Sequence, residues 1–117
     1  MNQNKNQKLK ISIVQTDAVL ADIDKNIAKH IEEIEKAITQ NADIILFPEL
    51  SITGYSLKDA VYDVALVDDD SKLDPLKKLS EKISIIFGMA ELDKRFEINN
   101  TMMFLSLIHI SEPTRPY

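Results

Sequence analysis

The chain is predicted to adopt an α/β fold built on parallel strands, and three segments carry that expectation. Leu9, Ile11 and Ile13 alternate with Lys10 and Ser12 ahead of Val14, the period-two pattern of a strand. Ile27, Ile31, Ile34 and Ile38 recur at spacings of four, three and four, which puts them on one stripe of a helix that must pack against a sheet. Ile44, Ile45, Leu46 and Phe47 form an uninterrupted apolar run, the composition of a strand buried on both faces. Strand, helix and buried strand in succession imply a right-handed crossover between parallel neighbours.

Each element has a local reason. Residues 1–8 are Asn, Gln and Lys after the initial Met, with no apolar run, so this stretch reads as neither a signal peptide nor an anchor and a cytoplasmic protein is expected. Asp22 or Asp24 caps the first helix, and Asn41 accepts the left-handed conformation that ends it. The strand over residues 43–47 stops at Pro48, which lacks an N–H for the ladder and biases Phe47 toward extended geometry. Gly54 is expected to supply a backbone conformation that other residues resist. Ser56 with Asp59 suits the cap of a short helix carrying Leu57, Val61, Val64 and Ala65. Asp74 at a cap and Pro75 in the first turn start a further helix through Leu76, Leu79 and Ile83. Residues 84–90 read as a strand in which Gly88 permits a close backbone approach, and residues 101–105 begin another.

Glu49 is the leading candidate for chemistry, because it stands at the carboxyl end of the buried strand. In open α/β sheets ligands bind in the crevice beyond that end, so a glutamate there is placed to act as a general base, with partial burial raising its pKa toward a useful range. The plainer alternative is a carboxylate that caps the next turn or pairs with a surface lysine. Tyr55 either lines a substrate pocket or packs its ring with its hydroxyl bonded. His30, at the border of the helix stripe, reads as a rim histidine rather than a base, and Asn26 as a structural tie for the loop before the helix. Asp68, Asp69 and Asp70 form a solvated acidic loop that lacks the glycine and closing glutamate of a calcium site, so no metal is expected.

Composition removes several classes. A net charge of -5 without clustered basic residues argues against a nucleic-acid surface. Only two glycines are present, so there is no glycine-rich phosphate loop, and the absence of cysteine excludes a disulfide scaffold. A response-regulator-like signalling module requires an acidic pair after its first strand, where this chain has Gln15 and Thr16.

The segment Ala42 through Tyr55, ADIILFPELSITGY, resembles the first signature of the nitrilase superfamily of carbon-nitrogen hydrolases. The strand KISIVQ beginning at Lys10, the acidic entry Asp22 with Asn26, the run IFGMAE beginning at Ile86, and Asn100 with Thr101 are similar to that family in the same order. The resemblance covers residues 9–104 and implies the N-terminal portion of a four-layer αββα sandwich. It also implies a Glu, Lys, Cys triad in which a thiolate attacks an amide or nitrile carbon, a lysine stabilises the oxyanion and a glutamate moves the protons. Only the glutamate carries over, onto Glu49. The chain has no cysteine, and its last lysine, Lys94, precedes the strand after which the resemblance places the catalytic one. The chain is therefore expected to be a truncated domain that is inactive alone. The implied substrate is a small-molecule amide or nitrile, with no cofactor, no nucleic-acid or membrane partner, and a homo-oligomer as the complete protein. The Thr53, Gly54, Tyr55 signature with Asp59 following is similar to the glutaminase domains of glutamine-dependent NAD synthetases, the alternative reading. A non-catalytic fragment is the other.

Residues 105–117 resemble something else. Residues 105–115, Leu-Ser-Leu-Ile-His-Ile-Ser-Glu-Pro-Thr-Arg, match the translation of a transposase adapter used in sequencing-library preparation, so this tail, His109 included, is expected to be artefactual. An independent genomic read that avoids adapter ligation is expected to diverge from these codons after Phe104; recovery of the same codons would show the tail to be native.

Overall fold

The computed structural model describes residues 8–15, 22–53, 65–67 and 70–106, together with the backbone of residues 110–116. Five strands form one sheet in chain order: β1 (Ile11–Ile13), β2 (Ile44–Leu46), β3 (Ser84–Leu92), β4 (Ile98–Leu105) and β5 (Ile110–Pro116). The first three are parallel, whereas β3, β4 and β5 are antiparallel neighbours. Helix α1 (Ile23–Thr39) links β1 to β2, and a 3₁₀ turn (Ser71–Leu73) runs directly into α2 (Asp74–Leu79) ahead of β3.

The crossover helix forms for the reasons its sequence suggests. The Asp22 carboxylate accepts a hydrogen bond from the Lys25 N–H at 3.1 Å, satisfying one of the donors that a helix start leaves open. At the other end Asn41 takes φ of 62°, and the Ala42 N–H returns to the Ala37 carbonyl at 3.0 Å. Between these caps Ile27, Ile34 and Ala37 are buried against the sheet, and Ile31 and Ile38 pack at the margin of the same core.

Register decides which face of the sheet receives the helix. Ser12, Ile45, Ile85 and Leu105 are paired across four strands, as are Phe87 and Met103, so these side chains share one face. Ile45, Ile85, Phe87, Met103 and Leu105 are all buried there with the α1 residues. The opposite face carries the in-register row Ile13, Leu46, Ile86 and Phe104. That row is apolar yet incompletely covered, with Ile13 68% and Phe104 37% exposed. Among the described residues one helical layer and one sheet are thus present of the four expected layers, and the apolar face that these residues leave uncovered lies where a second sheet would stack.

Several element boundaries differ from expectation. The second helical segment starts earlier, because Asp70 and not Asp74 caps it: its carboxylate accepts from the Lys72 N–H at 2.9 Å, and the 3₁₀ turn continues into α2. Asp74 becomes the first residue of α2, with Pro75 in a position where no N–H is needed. Ile83 lies beyond the end of α2 and is buried in the core. Strand β4 begins at Ile98 rather than Thr101, since a hairpin turn held by the Asp93 carboxylate, which accepts from Arg95 and Glu97 N–H groups at 2.8 and 3.0 Å, brings the chain back earlier. Gly54, Tyr55, the short helix expected from Ser56, Asp68, Asp69 and His109 lie outside the described residues. Residues 110–116, within the tail read as an adapter, run along β4 with a register shift opposite Asn100 and Thr101; an open strand edge pairs through its backbone and asks little of the partner's sequence.

Ile34→Ala is expected to cost about 2–5 kcal/mol, because its side chain is fully buried and the cavity closes only in part. Ile31→Ala, at the half-buried margin, is expected to cost clearly less, and urea unfolding of both variants at pH 7 checks the order.

Candidate active site

Strand β2 gives way to a turn at the point where Pro48 interrupts the ladder. The Phe47 N–H still reaches the Ile86 carbonyl at 2.8 Å, but Pro48 has no N–H to offer β3. The chain then folds into a turn over residues 48–51, closed by the Ser51 N–H on the Pro48 carbonyl at 3.2 Å, with Glu49 half-buried at its second position. Leu50, in the third position, takes φ of 55°, a left-handed conformation that costs an L-residue roughly 1–2 kcal/mol. Its side chain is 3% exposed against Ala90 and Ile98, and that burial offsets the strain.

The turn rests directly on β3. A Cβ placed on Gly88 would fall 2.4 Å from the Leu50 nitrogen and 3.1 Å from the Glu49 Cα, so glycine is required for this approach. Around it the backbone and side chains are tied on both sides. The Ile52 N–H donates to the Gly88 carbonyl at 3.0 Å, and the Ala90 N–H donates to Thr53 Oγ1 at 3.1 Å. From the helix, Asn26 Nδ2 donates to the Ile52 carbonyl at 2.9 Å. Asn26 therefore ties the loop after β2, not the loop before α1 as its sequence position suggests.

His30 is the residue that sequence reasoning placed wrongly. It is 1% exposed, not at the rim: its ring stacks on Phe47 with centroids 4.0 Å apart and meets Phe87 edge-on at 6.4 Å. Nδ1 lies 2.6 Å from the Asn26 carbonyl oxygen and Nε2 lies 2.9 Å from Ser51 Oγ. Burial in this apolar slot pushes its pKa down to about 4, with the Asn26 carbonyl bond opposing that fall in part. The available signal was spacing: position 30 is three residues after Ile27 and four before Ile34, on the stripe itself and not beside it.

Glu49, Ser51, Thr53, Asn26, His30 and Gly88 thus converge at the carboxyl end of β2. Tyr55 lies outside the described residues. Among the described residues no group of three or more His, Cys, Asp or Glu is arranged to hold a metal. No helix among them is long and apolar enough to cross a membrane. A hollow of about 370 Å³ lies at the other end of the sheet, beside Ala42, Asp43 and Ser84, away from Glu49.

A sequence profile described as carbon-nitrogen hydrolase matches residues 10–113. The chain belongs to the carbon-nitrogen hydrolase family. It is 33% identical over 82 residues to a glutamine-dependent NAD(+) synthetase of Acinetobacter baylyi, covering 70% of this chain and 15% of that protein. It is 30% identical over 108 residues to the protein N-terminal amidase of Saccharomyces cerevisiae, covering 84% of this chain and 23% of the amidase. Among solved structures, a CN-hydrolase superfamily protein of Xanthomonas campestris with an arsenic adduct in its active site superposes with a TM-score of 0.79 at 19% identity, covering 92% of this chain and 40% of that one. The chain accordingly supplies part of the carbon-nitrogen hydrolase fold and spans less than a quarter of the length of the two curated relatives.

The neutral His30 makes stability depend on acid. Its folded pKa lies below the ordinary 6.5, so below that value the unfolded chain binds a proton that the folded chain refuses, and stability falls as pH drops from about 6.5 toward 4. The loss is expected to approach an amount on the order of 3 kcal/mol near pH 4, from roughly 1.4 kcal/mol for each tenfold change in proton affinity. Urea unfolding between pH 7 and pH 4 tests this, and His30→Leu is expected to flatten that part of the profile.

Proposed function

We propose that this chain is the N-terminal part of an amidohydrolase in which Glu49 is the general base of a Glu, Lys, Cys triad. The observation that supports this reading best is the locked turn. The turn that carries a carboxylate at the end of a buried parallel strand has its backbone set by the left-handed Leu50, the close approach at Gly88 and hydrogen bonds that tie Ile52 to both α1 and β3. Such over-determination suits a group that must meet a reacting atom in one geometry, and a solvated surface glutamate would not need it. In the reaction Glu49 takes the thiol proton as the cysteine sulfur bonds to the amide carbon. A lysine stabilises the oxyanion, and the protonated Glu49 returns its proton to the leaving amine. Glu49 then deprotonates the water that releases the acyl group and regenerates the thiol.

The chain holds no cysteine, so by itself it lacks the nucleophile and is proposed to be inactive. Of the proposed triad this chain carries the glutamate, and the positions that the resemblance assigns to the lysine and the cysteine are not among its residues. The substrate is proposed to be a small amide or nitrile, handled without a cofactor by a cytoplasmic homo-oligomer. A second reading, the glutaminase portion of a glutamine-dependent NAD synthetase, is favoured by the 33% identity to the Acinetobacter baylyi enzyme.

In the completed enzyme Glu49→Gln keeps the shape of the side chain and removes the base, and is expected to lower kcat roughly a hundredfold or more. Turnover near that of the parent would overturn the assignment. Assayed on the parent enzyme, hydrolysis of free glutamine in preference to other small amides would decide for the second reading.

A further inference from the structure

We propose that His30 is a positioning residue for Glu49, acting through Ser51. Its neutral imidazole, fixed as the Nδ1–H tautomer, accepts the Ser51 hydroxyl proton at Nε2 and so sets the turn that carries the carboxylate. This inference rests on Glu49 being the working group of the site.

The tautomer follows from the partners. The Asn26 carbonyl oxygen can only accept, so the 2.6 Å contact requires a proton on Nδ1. A neutral ring then has a lone pair at Nε2, and the Ser51 hydroxyl 2.9 Å away must donate to it. With its hydrogen committed, Ser51 Oγ presents lone pairs toward the Gly88 N–H at 3.5 Å. One directed chain therefore runs from β3 through the turn to the helix: Gly88 N–H to Ser51, Ser51 O–H to His30, His30 N–H to Asn26. The Asn26 side chain closes the circuit by holding the Ile52 carbonyl.

Packing alone does not account for an imidazole here. The slot between Phe47 and Phe87 is apolar, and leucine would fill it without the cost of burying a ring with two polar nitrogens. What histidine adds is the bond to Ser51, two residues from Glu49. The groups facing the ring are the Phe47 ring just after β2, the Phe87 ring from β3, the Asn26 carbonyl from α1 and the Ser51 hydroxyl. Among the described residues no ion pair involves His30. A second proton on the ring would turn Nε2 into a donor and reverse the bond on which the chain depends.

The test uses the full chain and nuclear magnetic resonance, without turnover, so it can fail while the base role of Glu49 stands, and the reverse. Ring ¹⁵N shifts are expected to report the Nδ1–H tautomer at pH 7. The side-chain carboxyl ¹³C resonance of Glu49 at pH 7, which reports the setting of the group, and amide exchange of residues 50–53 are compared in the parent, His30→Leu, His30→Gln and Ser51→Ala. His30→Leu and Ser51→Ala are expected to speed exchange of these amides about tenfold, the equivalent of one lost hydrogen bond, and to displace the Glu49 carboxyl resonance. In His30→Gln the amide oxygen can accept from Ser51 in place of Nε2, and parent behaviour is expected to return. Ser51→Ala removes only a hydroxyl and leaves the aromatic slot intact, so it reads the coupling even if a His30 variant fails to fold. An Nε2–H tautomer, or a Glu49 carboxyl resonance that stays at its parent position in folded Ser51→Ala, would overturn the proposal, and faster exchange with an unmoved resonance would do so by marking the contact as structural only.

Discussion

Backbone lying on backbone at Gly88 is the contact on which the rest of the site depends. The turn after β2 approaches β3 so closely that a single methyl group on Gly88 would clash with the Leu50 nitrogen. Only that approach brings the Ile52 N–H to the Gly88 carbonyl and the Thr53 hydroxyl to the Ala90 N–H. It also forces Leu50 into a left-handed conformation, which a free loop would not hold and which the packing of Leu50 on Ala90 and Ile98 stabilises. A mobile carboxylate at a strand end is thereby converted into one with a single backbone setting.

The helix takes part in this site as well as in the core. Along α1 the buried stripe alternates between residues that only pack, Ile27, Ile34 and Ala37, and residues that also bond, Asn26 and His30. The polar pair lies toward the amino-terminal half of the helix, nearest the turn, whereas the aliphatic residues continue down the sheet. One amphipathic element thus supplies hydrophobic burial along its length and directed hydrogen bonds at one end. Desolvating an imidazole opposes folding in acid, and the two bonds it makes are what the structure gains in exchange.

Much of this was legible in residue order. The alternation before Val14, the isoleucine stripe, the apolar run into Pro48 and the left-handed Asn41 each rest on interactions within a few residues, so periodicity and local conformational preference report them. The close approach at Gly88 was readable for the same reason, since a glycine inside a strand pattern signals something pressed against it. His30 and Asn26 were misread because their polarity suggests a solvent-facing or local role, and their actual partners, Ser51 and Ile52, lie 21 and 26 residues away. Leu50 gave no warning at all: nothing in a leucine announces φ of 55°. The cap at Asp70 was missed because Asp74 and Pro75 offered an equally good local signal four residues on.

By itself, then, the sequence determined the α/β class, the parallel strand pair around α1, the place of Glu49 at a strand end, and membership in the carbon-nitrogen hydrolases through a motif contiguous along the chain. These follow from short-range sterics and from the matching of apolar periodicity to element type, which any sufficiently long window exposes. Tertiary structure alone decided that a histidine on the helix is buried between two phenylalanines, that it reaches across to the turn, and that a leucine bears the backbone strain beside the glutamate. Those outcomes depend on which residues from separate elements share the small volume at the end of the sheet, and that volume exists only after the strands have paired.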